Sequence, residues 1–257
     1  MKELLQQFQP ITLDDMSSIR LMNRTDTKFV TTRPMLERLL KMASDDYYAQ
    51  QIDGERMAAY YTVYFDTADC AMYTAHETGH TNRQKLRVRS YVDSHLNFLE
   101  VKTKNNRGRT KKKRIALDGF NPDNRSLFNL QCSAYHDFLS ENLRYAPALL
   151  SEQLENRFDR ITLVNKGKTE RLTIDLNLRF HNIVTDNYRF MDDIVIIELK
   201  RDGLIPSPIL NLLRQLRIKP HGFSKYVIGS AFTNDQLHCN RMKPKLNDVK
   251  KIMNYKF

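Results

Sequence analysis

KLRVRSYV, residues 85–92, alternates cation and aliphatic residue: Lys85, Arg87 and Arg89 fall on one face of a strand, Leu86 and Val88 on the other. The same pattern recurs along the chain. In FLEVKTK, Glu100, Lys102 and Lys104 oppose Leu99 and Val101. In RLTIDLNLRF, Arg171, Thr173, Asp175, Asn177 and Arg179 oppose Leu172, Ile174, Leu176, Leu178 and Phe180. In IVIIELK, Glu198 and Lys200 share a face with two preceding isoleucines. Extended stretches rich in β-branched and aromatic residues predict strands over 24–32, 59–67, 85–92, 97–104, 110–118, 157–164, 170–180 and 193–200. Apolar residues at helical spacing predict helices over 33–43, over 133–150, ended or kinked near Pro147, and over 207–216, the third capped by Ser207 and opened by Pro208.

Faces this ionic could meet water, as in many antiparallel sheets. The charges, however, are clustered cations with a few embedded carboxylates, and small polar residues are scarce among them. A sheet closed around a cavity, charged faces inward and helices over its apolar outside, accounts for both features. Cations converging on one cavity repel one another unless they bind a polyanion, for which Arg offers paired donors and Lys a point charge. Glu198, Glu100 and Asp175 then suit Mg²⁺ or Mn²⁺, hard ions often held by one or two carboxylates plus substrate oxygens.

Composition points the same way. The formal net charge of +11 calls for a polyanionic partner: nucleic acid, an acidic membrane surface or a phosphate-rich small molecule. No Gly/Ser linker or repeat divides the 257 residues, so one domain over 1–257 is expected. Neither a signal peptide nor an apolar run of membrane-spanning length is visible, and Cys70, Cys132 and Cys239 form no disulfide or metal-knuckle pattern. Cytosol is the expected compartment. Walker A, G-x-G-x-x-G and kinase H-R-D motifs are absent, so side chains must hold any phosphate.

One competing motif is HETGH, residues 76–80, which matches the zinc-protease pattern H-E-x-x-H. Gly79 opposes the continuous helix that would put both histidines on one face, and TNRQ follows in place of a third ligand. The segment is expected to be a short helix ending near Gly79, connecting two strands.

RTDTKFV, VYFDT, KLRVRSY, FLEVK, KKKRIAL, RLTIDLNLRF, IIELK and FSKYVIG occur in an order that resembles the VTC domain, from about Asn23 to Ala231. That family is a polyphosphate polymerase domain within the CYTH, or triphosphate tunnel metalloenzyme, superfamily. The resemblance implies an α+β fold: an antiparallel eight-stranded tunnel β-barrel with helices packed on its outside. It implies transfer of the ATP γ-phosphate to a growing polyphosphate chain, with Mn²⁺ or Mg²⁺ in the tunnel.

Carried over residue by residue, the phosphate-binding set is Lys28, Arg87, Arg89, Lys102, Arg160, Arg171, Lys200 and Lys225. Lys112 joins it, although the run KKKR admits several registers. Lys28, Arg87, Arg89, Glu198 and Lys200 form the implied catalytic group, with Glu198 as metal ligand and Glu100 and Asp26 as further carboxylates. Two departures stand out. The superfamily signature E-x-E-x-K falls on Arg24, Asp26 and Lys28, and the basic residue the family places before FSK is Gly222 here. The eukaryotic members also carry a phosphate-sensing module and membrane helices, so coupling to transport would require a separate membrane protein.

Three functions fit these residues. The polymerase needs no protein base, because its nucleophile is an anionic phosphate. A triphosphatase would use water on inorganic or nucleoside triphosphates. A non-catalytic module would bind polyphosphate or nucleic acid, with Tyr91 and Phe98 as stacking platforms. Nucleic acid is the disfavoured partner, since the basic run 107–114 continues into IAL as a strand.

Overall fold

The computed structural model describes residues 1–17, 24–124, 128–203 and 205–253; Asn23, where the family resemblance begins, lies outside them. Helix α1 (Lys2–Gln6), strand β1 (Gln9–Ile11) and helix α2 (Leu13–Ser17) precede β2 (Arg24–Thr32) and α3 (Arg33–Ala43). Next come β3 (Tyr47–Gln50), β4 (Ala58–Thr67), α4 (Ala71–Glu77), β5 (Arg83–Tyr91), β6 (Leu96–Lys104) and β7 (Thr110–Ala116). After α5 (His136–Asn142) run the long strands β8 (Leu150–Asn165) and β9 (Glu170–Asn182), then β10 (Tyr188–Met191) and β11 (Ile194–Asp202). Helices α6 (Pro208–Gln215), α7 (Lys225–Thr233) and α8 (Lys243–Met253) follow.

The eight strands expected from the sequence form one continuous path, β2-β11-β9-β8-β4-β5-β6-β7. Every neighbouring pair on it is antiparallel. The short strands β1, β3 and β10 attach beside it. The terminal strands β2 and β7 share no ladder, so the sheet curls into a tunnel with an open seam and is a barrel only approximately. Residues of both edges nevertheless line the same central cavity.

Apolar faces point outward beneath helices. On α3, Leu36, Leu39, Leu40 and Ala43 recur at helical spacing and pack with Leu172, Ile174, Val195 and Ile197 of β9 and β11. A second cluster joins Tyr226 and Val227 of α7 to Leu154 and Phe180, and a third sets Leu139 of α5 on Val63, Leu86 and Leu99. Helix α7 approaches the sheet closely because Gly229 has no side chain: an added Cβ would press into the Phe180 ring and come within 2.8 Å of Leu154. Gly229→Ala is expected to cost about 1–3 kcal/mol through overpacking, measurable by denaturant unfolding.

Two segments depart from expectation. The helix expected over 133–150 is broken into a 3₁₀ turn (Ser133–Tyr135), α5 and a second 3₁₀ turn (Pro147–Leu149), because Leu143 turns extended and Ala146, before Pro147, is extended too. Strand β8 therefore begins at Leu150, earlier than its apolar alternation shows. In β9 the alternation breaks at Asn177, where φ is +54° and the register with β8 shifts. Asn tolerates this left-handed conformation, and the bulge separates Arg171, Thr173 and Asp175 from Arg179. No helix among the described residues is long and apolar enough to cross a membrane.

Candidate functional site

Twelve cations and three carboxylates line a cavity of about 570 Å³ inside the curled sheet. Strand parity places them. Lys28 and Asp26 come from β2, Arg83, Lys85, Arg87 and Arg89 from β5, Lys102 and Lys104 from β6, and Lys112 from β7. Arg160 comes from β8, Arg171 and Asp175 from β9, Glu198 and Lys200 from β11, and Lys225 from the first turn of α7. All nine cations assigned to phosphate by resemblance thus face one space, together with Asp26 and Glu198. Glu100 is fully buried in the wall behind them.

The acids divide the cations into groups. Glu198 is held by Lys28 and, at 2.9 Å, by Lys200. Glu100 takes Arg87 at 2.6 Å and Lys112 at 3.0 Å. Asp175 receives both ends of the Arg160 guanidinium, at 2.6 and 2.8 Å, and the Lys225 ammonium as well. Burial alone would raise the pKa of each carboxyl. The Lys200 and Lys28 charges override it at Glu198, and Arg160 and Lys225 at Asp175, holding both well below the usual carboxylate range. Arg87, Arg89 and Lys112 do the same at Glu100, bringing it to about 2.

Other cations of the wall are compensated less fully. Lys85 donates to Ser224 Oγ at 2.7 Å, and Arg89 Nε is buried with no partner. Desolvation, then the charges of Arg87 and Lys28, push Lys102 down to about 8. Lys225 also falls to about 8, through burial only partly offset by Asp175. Lys85 is driven well below the ordinary lysine value by burial and by Lys102 and Arg83. A multiply charged anion in this space would relieve the repulsion.

No cluster of three or more His, Cys, Asp or Glu side chains able to cage a metal occurs among the described residues. The donor set therefore does not suit an all-protein cation site. It does suit a hard divalent ion completed by phosphate oxygens. Glu198 is the fitting ligand because lysines alone hold it, and flexible stems can shift to incoming phosphate. Asp26 is the neighbouring carboxylate, its backbone opposite Lys200. Glu100 and Asp175 are pinned by guanidinium groups and, for Glu100, sealed from the cavity.

HETGH is a helix end. Helix α4 stops at Glu77 and the chain reverses through Gly79, at φ +81°, with His80 N–H bonded to Ala75 O at 2.9 Å. Glu77 is buried and accepts the Arg241 backbone N–H at 2.7 Å, while His80 is exposed. His76 does more than connect: its ring lines the cavity near Arg83 and Lys85. Burial, then the charges of Lys85 and Arg83, press its pKa to about 2. Arg83, Lys85 and Lys104 were not assigned from the motifs, yet each is in phase with Arg87 or Lys102, so parity alone identifies them. His76 and Ser224 enter from helix ends, where parity gives no signal. Tyr91 lines the cavity, whereas Phe98 packs edge-on against it at 5.9 Å within the wall.

The family model described as "VTC domain" matches residues 23–234. Comparison with curated protein sequences returns no significant match. Among solved structures, the chain is similar to a Bacillus halodurans protein described as a candidate adenylate cyclase. The two are 13% identical, with a TM-score of 0.52 over 79% of this chain and 96% of that one. It is also similar to a candidate adenylyl cyclase from Hippeastrum, described as having a dominant triphosphatase activity. Identity there is 16%, with a TM-score of 0.50 over 82% of this chain and 97% of that one.

Proposed function

The chain belongs to the VTC domain family, and from that premise we propose that it is a triphosphate-handling tunnel enzyme that transfers the ATP γ-phosphate to a linear polyphosphate chain. The observation that carries this reading is the convergence of cations from seven strands and α7 on one cavity. Each phosphoryl unit brings about one negative charge or more, so a chain of them matches this wall as a single base does not.

Arg87, Arg89 and Arg160 are suited to grip phosphate oxygens with paired donors, and Lys28, Lys102 and Lys200 to neutralise them as point charges. Held this way, donor and acceptor phosphates meet in line without an entropic search. Glu198, with Asp26 beside it, would hold Mn²⁺ or Mg²⁺, which supplies charge neutralisation at the transferred phosphoryl group. The acceptor is an anionic phosphate and needs no base. Glu198 and Asp175, both strongly acidic here, are poor proton acceptors from water, which favours transfer over hydrolysis. In a triphosphatase, the second reading, water would replace the chain end in the same cavity. The family match and the fold support both readings equally.

Incubation with ATP and Mn²⁺, with products separated by chain length, tests the proposal. Polymer longer than the donor triphosphate is expected. Release of orthophosphate alone would move the assignment to the hydrolase, and no turnover of any triphosphate would end both.

A pH dependence follows from Lys102 and Lys225. A phosphate chain prefers the protonated amines, and in the free protein both lose their protons near pH 8. Affinity for triphosphate should hold below that pH and fall above it, by up to about tenfold per unit for each lysine. Binding near pH 8.5 should take up protons. Calorimetry in two buffers of different ionisation enthalpy measures both effects.

A further inference from the structure

Gly222 leaves a gap beside the tunnel that the last helix fills. Phe223, Ser224 and Lys225 all line the cavity. Residue 222 contributes no side chain, and its Cβ position would lie 3.5 Å from the ammonium of Lys245. Lys245 belongs to α8, beyond residues 23–234 that match the family. It is exposed and forms no ion pair with any described residue.

The surroundings of this ammonium are those of an anion site at the tunnel rim. Arg83 opens β5 and Lys104 ends β6, directly opposite in register. One step inward, Lys85 donates to Ser224 Oγ, and no carboxylate among the described residues compensates it. Ser224 Oγ also accepts the Val227 N–H at 3.4 Å, which leaves its own hydroxyl proton free to point outward. His76 Nδ1 is buried with no partner. The charges that keep its ring neutral include Lys85, Arg83, Lys245 and Lys104, so Lys245 lies within electrostatic reach of the same spot.

We propose that Lys245, with His76, Lys85 and Ser224, forms an anion subsite at this rim for one phosphoryl group of a linear polyphosphate, beyond those held deeper by Lys28, Lys200 and Arg160. The proposal rests on reading the cavity as a phosphate-chain tunnel. The ammonium groups supply charge, and the serine hydroxyl and neutral imidazole supply directed donors. Helix α8 thereby provides a cation where the loop before Ser224 has none.

The test uses the full chain and linear polyphosphate in metal-free buffer, with affinity read by calorimetry. Lys245→Ala should weaken binding about tenfold, the usual scale for one hydrogen bond to a charged group. Lys251→Ala removes the same charge from the same helix and should stay within about twofold of wild type. Adding Gly222→Lys to Lys245→Ala should restore affinity by returning a cation to the same place from the loop, which a merely structural role for Lys245 would not allow. Equal affinities for Lys245→Ala and Lys251→Ala, or failure of Gly222→Lys to restore binding, overturn the subsite. Wild-type protein that binds no polyphosphate would overturn the tunnel reading itself, and the subsite with it.

Discussion

Glu198→Gln is expected to lower metal-dependent turnover at least about 100-fold while leaving triphosphate binding in EDTA intact or tighter. The substitution removes the carboxylate best placed to hold the divalent ion, and losing the charge stabilisation of a phosphoryl-transfer site costs on this scale. It also removes a negative charge from a wall where cations already outnumber acids twelve to three. Lys28 and Lys200, freed from Glu198, remain available to phosphate. Steady-state product formation with Mn²⁺ and calorimetric binding without metal read the two halves separately. Full activity in Glu198→Gln would remove the metal from this part of the tunnel. Loss of metal-free binding would mean that Glu198 orders the cations instead.

Asp175→Asn should produce the largest loss of stability. Asp175 is 4% exposed and holds Arg160 bidentately and Lys225 besides. Neutralising it strands two desolvated cations, and breaking such a buried group costs about 3–5 kcal/mol. In a domain of this size that corresponds to a drop in Tm on the order of 10 °C. Because the folded-state pKa of Asp175 is depressed, its contribution is complete above the unfolded value near 3.8 and fades as pH falls below it. The gap between variant and wild type should therefore be full at pH 7 and shrink in acid. Polyphosphate should recover part of the lost Tm, since it gives Arg160 and Lys225 another anion. A Tm within 2–3 °C of wild type, roughly 1 kcal/mol, would show that tunnel water already compensates these cations.

Much of this architecture is visible in the alternation of KLRVRSYV and its counterparts. Extended, β-branched and aromatic stretches marked the eight strands of the continuous path. Period-two patterning was clearest where a strand buries an aliphatic face under helices and turns the other inward; the edge strand β7 is exposed along nearly all its length. Alternation also put Arg87 with Arg89, and Glu198 with Lys200, on common faces. What alternation cannot express is the relation between distant strands. That Glu198 would sit between Lys28 and Lys200, and Asp175 between Arg160 and Lys225, depends on register and curl. The open seam between β2 and β7 is likewise a property of closure, not of any one strand. The bulge at Asn177 breaks parity within a strand whose letters still alternate. Residues brought in by helix ends, His76, Ser224 and Lys245, carry no periodic signal at all. HETGH illustrates the cost of reading letters without context, since its first histidine lines the tunnel and its last faces solvent.

The central claim is that these side chains converge on a single phosphate chain. A structure with a non-hydrolysable ATP analogue and Mn²⁺ tests it most directly. The triphosphate is expected inside the tunnel, its oxygens contacted by Lys28, Arg87, Arg160 and Lys200, with Glu198 as the carboxylate that would hold Mn²⁺. An analogue bound on the outer surface, or one that inserts its base and leaves its phosphates in solvent, would contradict it.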